Sequence, residues 1–360
     1  MFILSLSFYI LSLSNFMKKV VTIGGGTGQY TLLRGLKNYD INLSAIVSMI
    51  DNGGNTGQLR VEFGILPPGD LRNCLLALSD EAGLKDIMTL FQYRFPKTNG
   101  NLSDYSLGNM ILTALTNIEG DIAKGIKACS RILNVKGEIF PVSLDNSHLY
   151  AETASGKGLF GQINVSYPDA QEKINKLWIE PEAFIYSDSA RAIREADMIV
   201  LCPGDLYGSL IPNFLVKGFK EAISESKAKI VYVCNLVTKQ GTYGFNASDF
   251  LIEIQKYLNK KVDYVICNTK KPTQNIVDKY KEENSYFVEP DIDGNNIIYS
   301  LGKTRRDDID ASAVIRLEIP FKVASDLQPW KDYICVHAYG YSMNETCTAY
   351  SSTVPVIGGD

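Results

Sequence analysis

Four stretches of this chain place residues that could hold a phosphate-bearing ligand. The first is Gly24-Gly25-Gly26-Thr27-Gly28. Glycine lacks a Cβ, so an anion can come close to the main chain. A helix that opens there would add free N–H groups and a partial positive charge. The second stretch is "SMIDNGGNTGQLR" (48–60). Its Asp51, with Asn52 beside it, could bind a ribose hydroxyl or a magnesium-bound water. Gly53, Gly54 and Gly57 make the following loop pliable, and Arg60 brings a planar cationic fork suited to phosphate. The third is "LPPGDLRNCL" (66–75), where Pro67, Pro68 and Gly69 fix a bend. Asp70 there reads either as a helix N-cap or as a functional carboxylate. Arg72 and Asn73 follow in the first helical turn, where an arginine opposes the helix dipole and is better placed to hold an anion. The fourth is "LCPGDLYGSLIPN" (201–213), in which a strand ends at Gly204 and Asn213 falls in the next helix.

Alternating elements must position these loops. Residues 18–23, 43–50, 137–144, 197–204, 229–236 and 262–268 read as apolar strands. Helical patterns follow at 29–37, 71–80, 106–118, 121–133, 188–196, 212–226 and 247–258. This order implies a Rossmann-like, doubly wound, mostly parallel α/β sheet covered on both faces. In such a sheet the loops at the carboxyl ends of the strands meet at one crevice. Residues 137–186 carry hairpin signals around Ser155-Gly156 and read as a small insertion on the main sheet.

Composition narrows the function. The 360 residues are 45% hydrophobic and 21% charged, ordinary values for a globular protein. Thirty-six Lys and Arg face 40 Asp and Glu, a net charge of −4. Nucleic-acid binders usually show a basic face, so none is expected as partner. The seven cysteines form no C-x-x-C pair, which fits a reducing cytoplasm. With only His148 and His337 present, no zinc site is expected. Residues 1–16 are apolar and Ser-rich but lack a positive leading region and a cleavage signal. They read as an extension ahead of a start at Met17, or as a short membrane tether. No other membrane contact is expected.

The motifs together resemble the gluconeogenesis factor family, a relative of the 2-phospho-L-lactate transferases of deazaflavin cofactor synthesis. They are GGGTG…LLRGL, DNGGNTGxLR, LPPGDLRNCLxAL, SLGN, LxPGxLYxSxIPN and VYVCNLxT, in chain order over about 17–318. The resemblance implies one α/β domain over 17–318, a cytoplasmic location and binding of UDP-N-acetylglucosamine. It also implies a regulatory role in growth on gluconeogenic carbon sources, cell shape and wall synthesis. No obligatory cofactor and no catalytic residue follow from it; a homodimer is expected. Carried over by position, Thr27 and Asp51 contact the ligand, with Asn109, Asn213, Asn235 and Arg316 at matching polar positions.

Several positions depart from the family pattern. Asn52 stands where a second aspartate is frequent, which weakens a magnesium site. Asp104-Tyr105 replaces a usual Gly-His, and Asp205 and Gly208 replace Ser and Thr. Leu-Glu follows Arg316 in place of His-Asp, and residues 319–360 match nothing in the pattern. The alternative function is a magnesium-dependent transferase, with Asp51 and Asp70 holding the ion. A nicotinamide oxidoreductase is disfavoured, because Gln29 interrupts the G-x-G-x-x-G spacing.

Overall fold

The computed structural model describes residues 18–80, 84–169, 172–268, 272–282, 284–292, 297–300, 313–319 and 332–338. Its strands are β1 Lys19–Gly24, β2 Asn42–Val47, β3 Glu138–Pro141, β4 His148–Thr153, β5 Gly158–Phe160, β6 Ile174–Glu180, β7 Met198–Leu201, β8 Lys229–Val233, β9 Tyr264–Asn268 and β10 Ile297–Ser300. The ribbon β11 Ala313–Ile319 and β12 Asp332–Ala338 follows. The helices are α1 Gly26–Leu36, α2 Gly54–Phe63, α3 Gly69–Leu78, α4 Lys85–Gln92, α5 Leu107–Glu119, α6 Ile122–Ile132, α7 Gln162–Ser166 and α8 Ser187–Glu195. After a π-helical turn at Leu206–Leu210 come α9 Ile211–Phe214, α10 Phe219–Glu225, α11 Ala247–Leu258 and α12 Gln274–Glu282.

The main sheet runs β10-β9-β8-β7-β1-β2-β3. Every pairing in it is parallel. Its central strands are nearly continuous apolar runs, as burial on both faces requires. Val20, Ile23, Ala45, Ile46, Ile199, Leu201 and Ile230 are all fully buried or nearly so. Because β2 and β3 lie on one side of β1 and β7 to β10 on the other, the chain reverses direction across the sheet between β1 and β7. That reversal point is where open α/β sheets form ligand crevices, beyond the strand carboxyl ends.

β3 pairs with β2 and forms the edge of the main sheet, so the insertion proper begins after it. It consists of the antiparallel sheet β5-β4-β6, whose hairpin turns at 154–157 as the sequence predicts. Leu149, Ala151 and Leu177 face the core. The opposite face carries Tyr150 stacked on Trp178, with Phe160 packed against both Tyr150 and His148.

Helix ends follow local chemistry. Ser106 accepts the Asn109 N–H at the start of α5, and Gly120 ends it in the left-handed region at φ 86°. Asn246 and Asp249 form a capping box at α11. Two expectations change here. The glycine-rich run after Asp51 folds as α2 rather than as a loop. α3 begins at Gly69 with Pro68 as its N-cap, so Asp70 lies inside the helix and makes no cap bond. Among the described residues no helix is long and apolar enough to cross a membrane; residues 1–16 lie outside them.

Candidate functional site

The crevice floor is the glycine turn between β1 and α1. Gly26 has φ +66°, a conformation that side chains rarely adopt. Gly25 and Gly28 are required for space. A Cβ on Gly25 would sit 2.6 Å from Asp70 Oδ2, and one on Gly28 would overlap the Pro203 carbonyl. Gly24 is tight against Cys202, at 2.9 Å from a built Cβ to the cysteine Cβ. The turn is thus clamped between α3 and the loop after β7, while Thr27 stays exposed at the start of α1. Gln29 is fully buried and donates to the Thr22 hydroxyl (3.2 Å) and the Ile46 carbonyl (3.0 Å), which joins β1 to β2.

The carboxylates gather on the β2 side. Asp51 Oδ1 accepts the Gly53 N–H at 2.8 Å. Burial raises its pKa above the usual carboxylate range, against the pull of that N–H and of Arg60. Asp70, five residues beyond Ile65 in sequence, reaches back to accept from the Gly26 backbone. Its carboxyl is pushed up to about 7, first by burial and then by Asp51, with Asp205 adding to the rise. The Gly26 N–H and Arg72 oppose that shift. Gly69 supplies the closeness: a Cβ there would lie 2.9 Å from Thr56 Oγ1 and 3.3 Å from Asp51 Oδ2. Gly25, Asp51, Asp70 and Arg72 therefore lie close together in the fold.

The two arginines are held by neutral partners. Arg60 is only 4% exposed; its Nε donates to Asn146 Oδ1 at 2.8 Å, and Nη2 bonds both Asn146 and the Ser147 carbonyl. Arg72 bonds Ser106 through Nη1 and Asn73 Oδ1 through Nη2 at 2.8 Å. Arg60 Nη1 and Arg72 Nε are buried without a protein partner, as is Asn109 Oδ1. Asn109 Nδ2 lies 3.4 Å from Thr56 Oγ1, which links α5 to α2. Asn52 accepts the Ile163 N–H at 3.3 Å, and a Cβ on Gly161 would overlap its Nδ2. Gly53 and Gly54 lead into α2 at this point.

On the β7 side most polar groups are paired, though Asn213 Oδ1 is buried without a protein partner. Gly204, at φ +141°, donates to Asn235 Oδ1 at 3.1 Å and accepts from its Nδ2 at 2.6 Å. Asn213 is fully buried and donates to the carbonyls of Gly24 (3.3 Å), Ser209 (2.8 Å) and Leu210 (3.1 Å). Its amide therefore braces the underside of the glycine turn. Asp205, with Lys239 and Tyr167, which the sequence reading missed, completes this side. Asp205 caps the π-helical turn, accepting from Gly208 at 3.0 Å. Lys239 pairs with Asp205 at 2.6 Å and lies 4.6 Å over the Tyr167 ring. Arg316 falls in β11, and its side chain lies outside the described residues.

Residues 20–304 match the family described as 2-phospho-L-lactate transferase CofD. A putative gluconeogenesis factor of Thermotoga maritima is 43% identical over 281 residues, 78% of this chain and 87% of the relative. The gluconeogenesis factor of Bacillus subtilis is 38% identical over 278 residues, 76% of this chain and 86% of the relative. A crystal structure of a Bacillus halodurans protein superimposes with a TM-score of 0.73 at 41% identity, covering 77% of this chain and 88% of that one.

Proposed function

The chain belongs to the CofD family and, within it, groups with the gluconeogenesis factors; from that premise we propose that it is a regulatory protein that binds a nucleotide sugar, UDP-N-acetylglucosamine. In this reading it works in the cytoplasm and passes the supply of that sugar to carbon metabolism, cell shape and wall synthesis. The observation that carries the proposal is the place of the glycine turn: β1 ends in it at the sheet's reversal point, and α1 opens from it at Gly26. That is the place for a diphosphate. The loop after β7 and α3 pack against this turn, and the Gly26 N–H is held by Asp70. The unpaired donors at Arg60 and Arg72 lie on the same side as Asp51 and Asn52. Titration calorimetry with UDP-N-acetylglucosamine tests the reading. Saturable heat that Thr27→Val weakens supports it; no heat and no thermal shift at millimolar ligand overturns it.

The negative charges of Asp51 and Asp205 close to Asp70 favour a second reading, a magnesium-dependent transferase. Among the described residues, however, no three His, Cys, Asp or Glu side chains gather closely enough to hold a metal. Asp51 and Asp70 would hold the ion only together with the phosphates of a bound ligand. A nucleotide-activated phospholactate with a deazaflavin acceptor, assayed with and without magnesium, separates the two readings by whether product forms.

A further inference from the structure

Beyond Asn235 the fold opens a recess at the carboxyl ends of β8 and β9. Cys234, Leu236, Cys267, Phe287 and Glu289 are among the residues that line it. Backbone pairing fixes its walls. Cys234 donates to the Ile266 carbonyl at 2.9 Å, which ties the end of β8 to β9. Along the returning segment 286–289, Thr238 donates to the Tyr286 carbonyl (2.7 Å) and Val288 to the Leu236 carbonyl (3.1 Å).

Two thiols meet in this recess. The register of β8 on β9 pairs Val233 with Ile266, so the next residues, Cys234 and Cys267, stand side by side. Their side chains share one face of the sheet and touch. Cys234 is 5% exposed and Cys267 2%, and both line the recess. Tyr232, two residues before Cys234, lies on the same face. It is almost fully buried; its hydroxyl has no hydrogen-bond partner, and the group it lies against is the Cys234 sulfur. A buried hydroxyl without an acceptor is unfavourable. A neutral thiol is a weak acceptor, whereas a thiolate would be a strong one.

Two touching thiols can give up their protons to a disulfide or to a metal ion. Contact with Cys267, and then burial, hold the Cys234 thiol protonated, which makes it a poor nucleophile toward oxidants. An ion has no such requirement, because coordination itself drives the proton off. The number of donors selects the ion. Among the described residues no third His, Cys, Asp or Glu joins the pair, although Glu289 lines the same recess. Zinc would be two ligands short of its usual four. Copper(I) is a soft ion that thiolates select, and it is stable with two of them in line. Two metal–sulfur bonds near the zinc–thiolate length of about 2.3 Å span about 4.6 Å. Neighbouring strands lie about 4.8 Å apart, so a bridge of that length fits between them.

We propose that Cys234 and Cys267 form a two-coordinate site for a soft univalent cation of the copper(I) class, with the Tyr232 hydroxyl donating to the Cys234 sulfur. The ion displaces one proton from each thiol, and both protons leave to water through the recess. One cation and two neutral thiols thus become a singly negative bis-thiolate bridge and two protons, with no change of oxidation state. Anaerobic competition against bicinchoninate, a copper(I) chelator, tests this on the full chain. The wild type is expected to withdraw one copper(I) per chain that Cys234→Ala and Cys267→Ala each fail to withdraw. Cys129→Ala, which removes a buried thiol of α6, should keep it. Tyr232→Phe should hold the ion roughly tenfold more weakly. Thermal midpoints of the copper-free proteins check that each variant is folded. X-ray absorption on the copper-loaded wild type needs no variant, and should show two sulfur neighbours. If the wild type withdraws no copper, or both alanine variants withdraw as much as it does, the site is overturned. Copper with three or more neighbours, or with nitrogen or oxygen among them, overturns it as well. An unchanged affinity in Tyr232→Phe overturns the part given to the phenol.

Discussion

The two sides of the crevice are built on opposite terms. On the β7 side the charged group at the rim is paired and the amides are largely tied down: Asp205 has Lys239 and Gly208, Asn235 has Gly204, and Asn213 Nδ2 has three carbonyls, though its Oδ1 is buried without a protein partner. On the β2 side, Asp51 disfavours the charge on Asp70, while Arg60, Arg72 and Asn109 each keep a buried polar atom unpaired. Buried polar groups are nearly always satisfied, so unpaired ones point to where a ligand completes the network. The β7 side is the frame, and the β2 side holds the capacity for binding.

The hardest test of that division is the frame itself. Gly28→Val would drive a side chain into the Pro203 carbonyl, which is backbone and cannot move aside. A loss of at least about 3 kcal/mol is expected, read as a lowered denaturant midpoint or as insoluble protein. Gly26→Ala makes the contrast, since nothing lies within 4 Å of a Cβ there and only its φ of +66° is strained. It should cost about 1 kcal/mol. Equal effects at the two positions would show that the clamp from the β7 loop is not what shapes the turn.

Asp70→Asn probes the β2 side. The folded pKa, about 7, lies above that of an unfolded aspartate, about 3.9. Between those values the folded state binds the extra proton, so stability falls as pH rises from about 4 to 7. Removing the charge should flatten this fall and leave the variant more stable than the wild type at pH 8, by on the order of 3 kcal/mol. Chemical denaturation at pH 5 and pH 8 reads it. Parallel slopes in the two proteins would remove the case for a repulsive carboxylate pair.

Arg60→Met separates a structural from a ligand-facing guanidinium. The change deprives Asn146 Oδ1 and the Ser147 carbonyl of their donor, at a cost of about 2 kcal/mol. It also removes the countercharge that lowers the Asp51 pKa, so Asp51 should titrate higher by carboxylate NMR. If stability is unchanged, α2 is not anchored through this residue and the β2 side is looser than the hydrogen bonds imply.

Much of this was legible in the sequence, for reasons that differ by element. The runs VVTI, AIV, MIVL and IVYV are almost wholly apolar or β-branched, as doubly covered strands are, and the glycine turn announces itself by composition. α2 was hidden because Gly53, Gly54 and Gly57 suppress any helical pattern. Its helix is held from outside, by Asn55 on the Ser103 carbonyl at 3.2 Å and by the Thr56–Asn109 contact. Asp70 reads locally as a cap, but its partner, Gly26, is 44 residues away in the chain. Gln29 looked like a flaw in a dinucleotide fingerprint and is a buried bridge between β1 and β2. The Asp205–Lys239 pair and the recess over β9 depend on segments that only the folded sheet brings together.

Lys239→Met is the gentlest way to sharpen the comparison. The pair is partly exposed, with side chains 29% and 14% accessible, so its direct loss should stay below about 1 kcal/mol. The informative effect lies across the crevice. Asp205 already raises the Asp70 pKa, and without Lys239 its charge is no longer offset. Asp70 should then titrate at still higher pH, and the decline in stability with pH should extend further into the alkaline range. A carboxylate titration followed by NMR in both proteins decides it. An unmoved Asp70 would mean that the two sides are electrically separate; a shifted one would make the paired β7 side the setting against which the β2 side is tuned.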